Sequence, residues 1–338
     1  MTAPNQRASV EGVLGNHERR IGVLEAVAPP SCNCVVATGM VVTGSSVYDI
    51  FYATDRDGFP LFNFTSPIEP LVHSIDFCFD YWNNIYVVNT SLSTTRYPIF
   101  KFDASGGFIT TFGTVGDGSA NGQCNSPTSM CFDAPDSFGL SNMYIVDAGN
   151  NRIQQWDSSG SYVSKWGTAG SGNGQFNFGS SNYAYIAFDG THLYVGDCLN
   201  YRVQKFTTAG SYVTQWGSSG TGNGQFTVLN GIAVASDGTI YVVDDTTTGN
   251  FASRIQHFTN TGTYIDEYSC PIFGSGDGEF YHPNDIAIDV DDNIYVVDEY
   301  NGRIQKFSLP AYTFLGKWNI PPDVGSQPQG ISVRPNSV

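Results

Sequence analysis

The sequence predicts an all-β fold, a six-bladed β-propeller closed by pairing of its N- and C-terminal strands and preceded by a short helix. Three observations point to it. One phrase keeps returning, in its cleanest form as Leu193-Tyr-Val-Gly-Asp197, a short turn, Arg202-Val-Gln-Lys-Phe206, a glycine turn and Tyr212-Val-Thr-Gln-Trp216. The arginines that match between copies, Arg152, Arg202, Arg254 and Arg303, lie 50, 52 and 49 residues apart, a period that marks propellers and other repeat arrays. The 38 glycines, 19 tyrosines and 23 phenylalanines suit many short strands joined by tight turns.

Taken in order, the chain divides at a proline pair into residues 1–30 and residues 31–338. After a lead at 1–9, Val10, Leu14, His17, Ile21, Leu24 and Ala28 repeat at spacings of 4, 3, 4, 3 and 4. That is the seam of a helix over 10–28, ended by Pro29-Pro30 and weakened by Gly12, Gly15 and Gly22. Val10, Leu14, His17, Ile21 and Leu24 are the expected oligomerisation face, joining subunits in a short coiled coil or docking onto a larger assembly. The alternative is a helix lying on the propeller itself.

Beyond Pro30 the helical period disappears. Strands are expected at 34–42, 46–54 and 59–64, a divergent first unit. A second unit contains Ile85-Tyr-Val-Val-Asn89 and Phe100-Lys-Phe102. The third runs from Ser129 to Trp166, the fourth from Ala184 to Trp216 and the fifth from Ile232 to Tyr268. The sixth opens at Asp285-Ile-Ala-Ile-Asp289 and ends near Trp318. Gly330-Ile-Ser-Val333 repeats the opening phrase Gly231-Ile-Ala-Val234 and is left without followers. It is expected to lie beside the incomplete first unit, closing the ring and removing an open sheet edge.

Composition narrows the partners. With 31 acidic against 15 basic residues, a net charge of -16, the chain lacks the basic footprint of nucleic-acid binding. No run of 18 apolar residues is present, so no membrane span is expected. Of the seven cysteines, Cys78 and Cys131 stand at matching places in strand phrases and read as buried thiols. Cys32 and Cys34 would need distant partners to ligate metal. The oxygen-rich turn Asp289-Val-Asp-Asp-Asn293 is the place where calcium would sit, against the plainer reading of a solvated hairpin; no other cofactor is expected.

The phrases resemble the NHL-repeat family of β-propellers over residues 70 to 333. The marks are Gly172-Asn-Gly-Gln-Phe176, Gly222-Asn-Gly-Gln-Phe226 and Gly276-Asp-Gly-Glu-Phe280, each before a blade, then the Tyr-Val-x-Asp strand end and the Arg-Ile/Val-Gln-x-Phe strand. The family's functions are varied, so the resemblance implies fold more than activity. Propeller lyases similar to it hold a metal with several channel histidines. Here His73, His192, His257 and His282 take different places in their repeats, which argues against such a site.

Asp147 with Arg152, Asp197 with Arg202, and Asp298 with Arg303 stand five apart across a turn, while a longer loop separates Asp244 from Arg254. A group that recurs in every blade reads as a structural clamp rather than a catalytic one. Contact residues are sought instead in the irregular loops at 113–125 and 246–250, and Tyr183, Tyr185, Tyr281 and Tyr300 are candidates for a binding face. The sequence therefore reads as a non-enzymatic head that recognises protein or carbohydrate, assembled through 10–28 in a layout similar to phage tail-fibre and other virion proteins. It is placed on a virion or cell exterior. A cellular protein-interaction scaffold is the alternative, with the cytoplasm as the alternative location, and an extracellular metal-dependent lyase or hydrolase follows.

Overall fold

The structure, a computed structural model, describes residues 76–333 except 91–96, 115–117, 180–183, 246–252, 271–272 and 321–327. It also gives the backbone of strands at 34–43, 46–55, 60–64 and 74–75. The expected helix at 10–28, with Val10, Leu14, His17, Ile21 and Leu24, lies outside the described residues, as do His73, Tyr183 and the loop at 246–250. Among the described residues no helix is long and apolar enough to cross a membrane.

At the start of the chain come β1 (Cys34–Thr43), β2 (Ser46–Asp55) and β3 (Pro60–Phe64). Blade one is β4 (Ser74–Phe79), β5 (Ile85–Asn89), β6 (Ile99–Phe102) and β7 (Phe108–Phe112). Blade two is β8 (Pro127–Phe132), β9 (Met143–Asp147), β10 (Arg152–Trp156) and β11 (Tyr162–Trp166). Blade three is β12 (Ile186–Phe188), β13 (His192–Asp197), β14 (Arg202–Thr207) and β15 (Tyr212–Trp216). Blade four is β16 (Leu229–Val234), β17 (Ile240–Asp244), β18 (Arg254–Phe258) and β19 (Tyr264–Ser269). Blade five is β20 (Pro283–Ile288), β21 (Asn293–Asp298), β22 (Arg303–Ser308) and β23 (Thr313–Asn319), and β24 (Ile331–Val333) follows. Within each blade consecutive strands pair antiparallel.

The alternation of side chains along each second strand is what joins the blades. Ile85 and Val87 pack with Phe77, Phe100 and Phe102 on one face of blade one. Tyr86 and Val88 face the other way, into Met130, Met143, Ile145 and Trp156 of blade two. Tyr144 and Val146 of the same strand as Ile145 turn toward Ile186, Leu193 and Phe206 of blade three. Each blade thus buries both faces. At about 1.5–3 kcal/mol for each fully buried large apolar side chain, this packing is the main stabilising term.

Hairpins between first and second strands share a polar device. The carboxylates of Asp80, Asp133 and Asp289 accept the backbone N–H of Asn84, Asn142 and Asn293, and also the hydroxyls of Tyr86, Tyr144 and Tyr295. In the proposed calcium turn, both oxygens of Asp289 already receive hydrogen bonds, from the amides of Asp291 and Asn293, the Asn293 side chain and the Tyr295 hydroxyl. The turn is thereby built as a hairpin cap.

The expectation of six blades closed by the two chain ends is corrected to five. Five sheets are built from four consecutive strands. The remaining sheet, in the order β24-β1-β2-β3, is built otherwise. Its β1 and β2 are ten residues each, against four to seven in the strands of most blades, and β24 meets β1 over only three residue pairs. Residues 34–64 also lack the Asp, Arg and Gln phrase that locks blades two to five. A seventh opening strand was therefore too little to define a further NHL-like blade.

Candidate functional site: a histidine and carboxylates between blades four and five

The aspartate that ends each second strand is fully buried in blades two to five. Arg152 Nε donates to Asp147 Oδ2 at 2.5 Å, Arg202 to Asp197 at 2.7 Å, Arg254 to Asp244 at 2.9 Å and Arg303 to Asp298 at 2.6 Å. The guanidinium nitrogens reach further, to carbonyls of the segment that leads into the blade: Ser119, Ala120 and Gln123 for Arg152, and Ser275, Gly276 and Glu279 for Arg303. Gln154, Gln204, Gln256 and Gln305 add a bond to the same aspartate. Burial pushes Asp147, Asp244 and Asp298 above the usual carboxylate range despite their arginines.

One residue further along, the blades stop being alike. Blades two and three place Ala148 and Cys198 after the aspartate, whereas blade four has Asp245 and blade five Glu299. Asp245 is 1% exposed. Its Oδ1 accepts the Ser253 hydroxyl at 2.7 Å and its Oδ2 lies 2.7 Å from His282 Nδ1. His282, just before β20, has a positive φ of 56°, a left-handed backbone that a non-glycine residue seldom adopts. The turn that imposes it is held by Glu299 N–H donating to the His282 carbonyl and Tyr300 N–H donating to that of Tyr281, both at 3.1 Å.

The chemistry follows from that arrangement. A carboxylate on Nδ1 favours the tautomer with its proton there, which leaves Nε2 as the basic nitrogen. Glu299, itself buried, is pushed up to about 7 from 4.5, chiefly by burial and then by the negative charge of Asp245. A histidine in contact with Asp245 and a carboxyl group raised toward neutrality by burial and by the same Asp245 are thus gathered around one buried carboxylate, a pairing suited to acid–base chemistry. Beside them, Tyr300 lies against His282 at 4.2 Å between centroids, tilted by 33°, and Tyr281 meets Tyr300 edge to face at 5.1 Å.

Deeper along β20, Asn284 accepts the Tyr185 hydroxyl of blade three at 3.1 Å, spanning the space between the inner strands. Asp285 accepts the N–H of Ile286 at 2.8 Å and that of Ile331 in β24 at 2.9 Å. Asp76 of blade one accepts the N–H groups of Phe77 and Met130. Burial raises both carboxyls, Asp76 to about 6, and the charge of Asp76 raises Asp285 further.

Of the four binding-face candidates, Tyr281 and Tyr300 are exposed and adjacent, and Tyr185 is buried. The described histidines do not converge. His192 sits 3.7 Å from Asp189 in its hairpin and His257 stacks on Tyr241 in blade four. Among the described residues no group of three or more His, Cys, Asp or Glu side chains could hold a metal ion. Sequence reasoning missed Asp245, Ser253 and Glu299. The signal that could have found them is the break in the repeat just after the aspartate.

The NHL repeat matches residues 280–307, a single repeat within blade five, so the resemblance expected over 70 to 333 is corrected to that segment. No curated protein matches the chain. Among solved structures, a streptogramin B lyase is similar at 16% identity over 91% of this chain and 89% of that one, with a TM-score of 0.56. A nidogen/laminin complex gives 14% identity over 89% and 98%, TM-score 0.57. The virginiamycin B lyase of Staphylococcus aureus gives 13% over 84% of each chain, TM-score 0.54. At such identities the likeness is one of fold. The expected non-enzymatic head of tail-fibre, virion or coiled-coil layout is not what these matches point to: two of the three are lyases, and at such identities they show the propeller fold alone.

Proposed function

We propose that the chain is an enzyme of the lyase type, using His282 as base and Glu299 as acid to eliminate a leaving group from a carbon skeleton. The observation that carries this reading is the His282–Asp245 contact at 2.7 Å beside Glu299, present once where the other repeats have Ala148 and Cys198. His282 Nε2 takes a proton from the carbon next to an activating carbonyl. The electron pair forms a carbon–carbon double bond as the adjacent carbon–oxygen bond breaks. Glu299 gives its proton to the departing oxygen, and return of the proton from His282 to Glu299 resets the site. Asp245 holds the imidazole and offsets its charge, with Ser253 holding Asp245. The lyase folds support an elimination over other acid–base reactions.

A panel of β-aryloxy ketones and esters that release p-nitrophenolate tests the reading by absorbance. The wild-type chain should release the chromophore, and His282→Ala should lower the rate by about 100-fold or more, with Glu299→Gln lowering it less because p-nitrophenolate departs without a proton. His192→Ala should leave it unchanged. Release at the buffer rate throughout the panel, or a wild-type rate in His282→Ala, overturns the proposal.

A further inference from the structure

Three aromatic rings stand next to the His282 site and face solvent. Phe273 is 37% exposed, Tyr281 43% and Tyr300 46%. Tyr281 lies 6.0 Å from Phe273 at an interplanar angle of 64° and 5.1 Å from Tyr300 at 82°. The three therefore form a corner of crossed faces rather than a flat stack. They are fixed to the site itself: Tyr281 N–H donates to Asp298 at 2.7 Å, Tyr300 N–H to the Tyr281 carbonyl, and the Tyr300 ring lies on His282. Asp298, Asp245 and Glu299 adjoin these residues, in a chain of net charge -16.

We propose that this corner receives the cationic end of the substrate, a quaternary or alkylated ammonium group. The inference rests on the proposed enzyme reading and names the substrate class for it. The negative faces of aromatic rings attract a weakly hydrated cation, and crossed rings present two or three such faces to one charge. The acidic surroundings add a long-range attraction and discourage anions. With the cation seated on Tyr300, the bond to be broken is brought beside the His282 imidazole against which the Tyr300 ring lies.

Calorimetric titration of the full chain at constant ionic strength tests this with tetramethylammonium chloride, its neutral isostere neopentane replaced for solubility by tert-butanol, and methyl β-glucoside. Tetramethylammonium should bind and slow chromophore release, while the two neutral compounds should not. Tyr300→Leu should weaken binding about tenfold and Tyr300→Phe, which keeps the ring, by no more than about twofold. No binding of tetramethylammonium, equal binding of tert-butanol, binding of the glucoside instead, or an affinity unchanged in Tyr300→Leu each overturns the proposal. If His282→Ala abolishes release while tetramethylammonium fails to bind, only the cation inference falls. If tetramethylammonium binds as expected but nothing in the panel turns over, the enzyme reading falls and the cation site stands.

Discussion

Glu299 carries the clearest consequence at the scale of a single residue. Its carboxyl is raised from 4.5 to about 7, so the folded chain holds a proton that the unfolded chain has released across that interval. The unfolded state binds fewer protons there, and stability falls as pH rises. The stabilising contribution of the neutral form is complete below about 4.5 and is lost as pH passes through about 7. Urea midpoints measured across this range should decline with pH in the wild type and decline less in Glu299→Gln, which stays neutral throughout. An unchanged slope in Glu299→Gln would place the proton elsewhere. The same proton should appear in turnover, as loss of activity on the alkaline side of about pH 7.

At the scale of the element, the third strand of each blade is fastened through its arginine. Arg202 donates to Asp197, to the carbonyls of Ser171, Gly172 and Gln175, and to Gln215. Arg202→Met would leave Asp197 buried without its counter-charge and three carbonyls without their donor. Removing one partner of a buried pair costs about 3–5 kcal/mol, whereas replacing both by apolar groups costs much less. Chemical denaturation should therefore show a large loss in Arg202→Met and partial recovery in Arg202→Met with Asp197→Leu. A single variant as stable as wild type would remove the clamp from the account. Asp147, Asp197, Asp244 and Asp298 with Arg152, Arg202, Arg254 and Arg303 could be read from the sequence because the pairs repeat at short spacing. The rest of the device could not. The arginines bind backbone carbonyls some 24 to 33 residues earlier, and no side-chain letter marks a carbonyl.

The whole molecule was legible in its repeat and obscure where the repeat fails. Period-two alternation and the Asp–Arg phrase announce blades two to five, while residues 34–64, read as a divergent first unit closed by 330–333, carry no Asp–Arg phrase. The inner strands likewise hide their chemistry, because Asp76 and Asp285 are far apart in sequence and each looks like an ordinary strand-opening acid. Folded, the two are buried carboxyls with backbone N–H donors; burial raises both, and the charge of Asp76 raises Asp285 further. Both folded pKa values lie above the unfolded 3.8, so the ring is most stable with protons bound, and stability is lost as pH rises through about 6 and beyond. Asp285 Oδ2 accepts the Ile331 N–H of β24 at 2.9 Å, which places the effect on the C-terminal strand. Asp76→Asn removes one charge of the pair and lets Asp285 ionise at lower cost. Amide exchange at Ile331, corrected for base catalysis, should accelerate as pH rises past about 6 in the wild type and accelerate less in Asp76→Asn. Because Glu299→Gln leaves this pair intact, it should not change the Ile331 profile. A wild-type acceleration that survives in Asp76→Asn would separate the two carboxyls and leave β24 held by its pairing with β1 and its packing against Ile304 and Ile320.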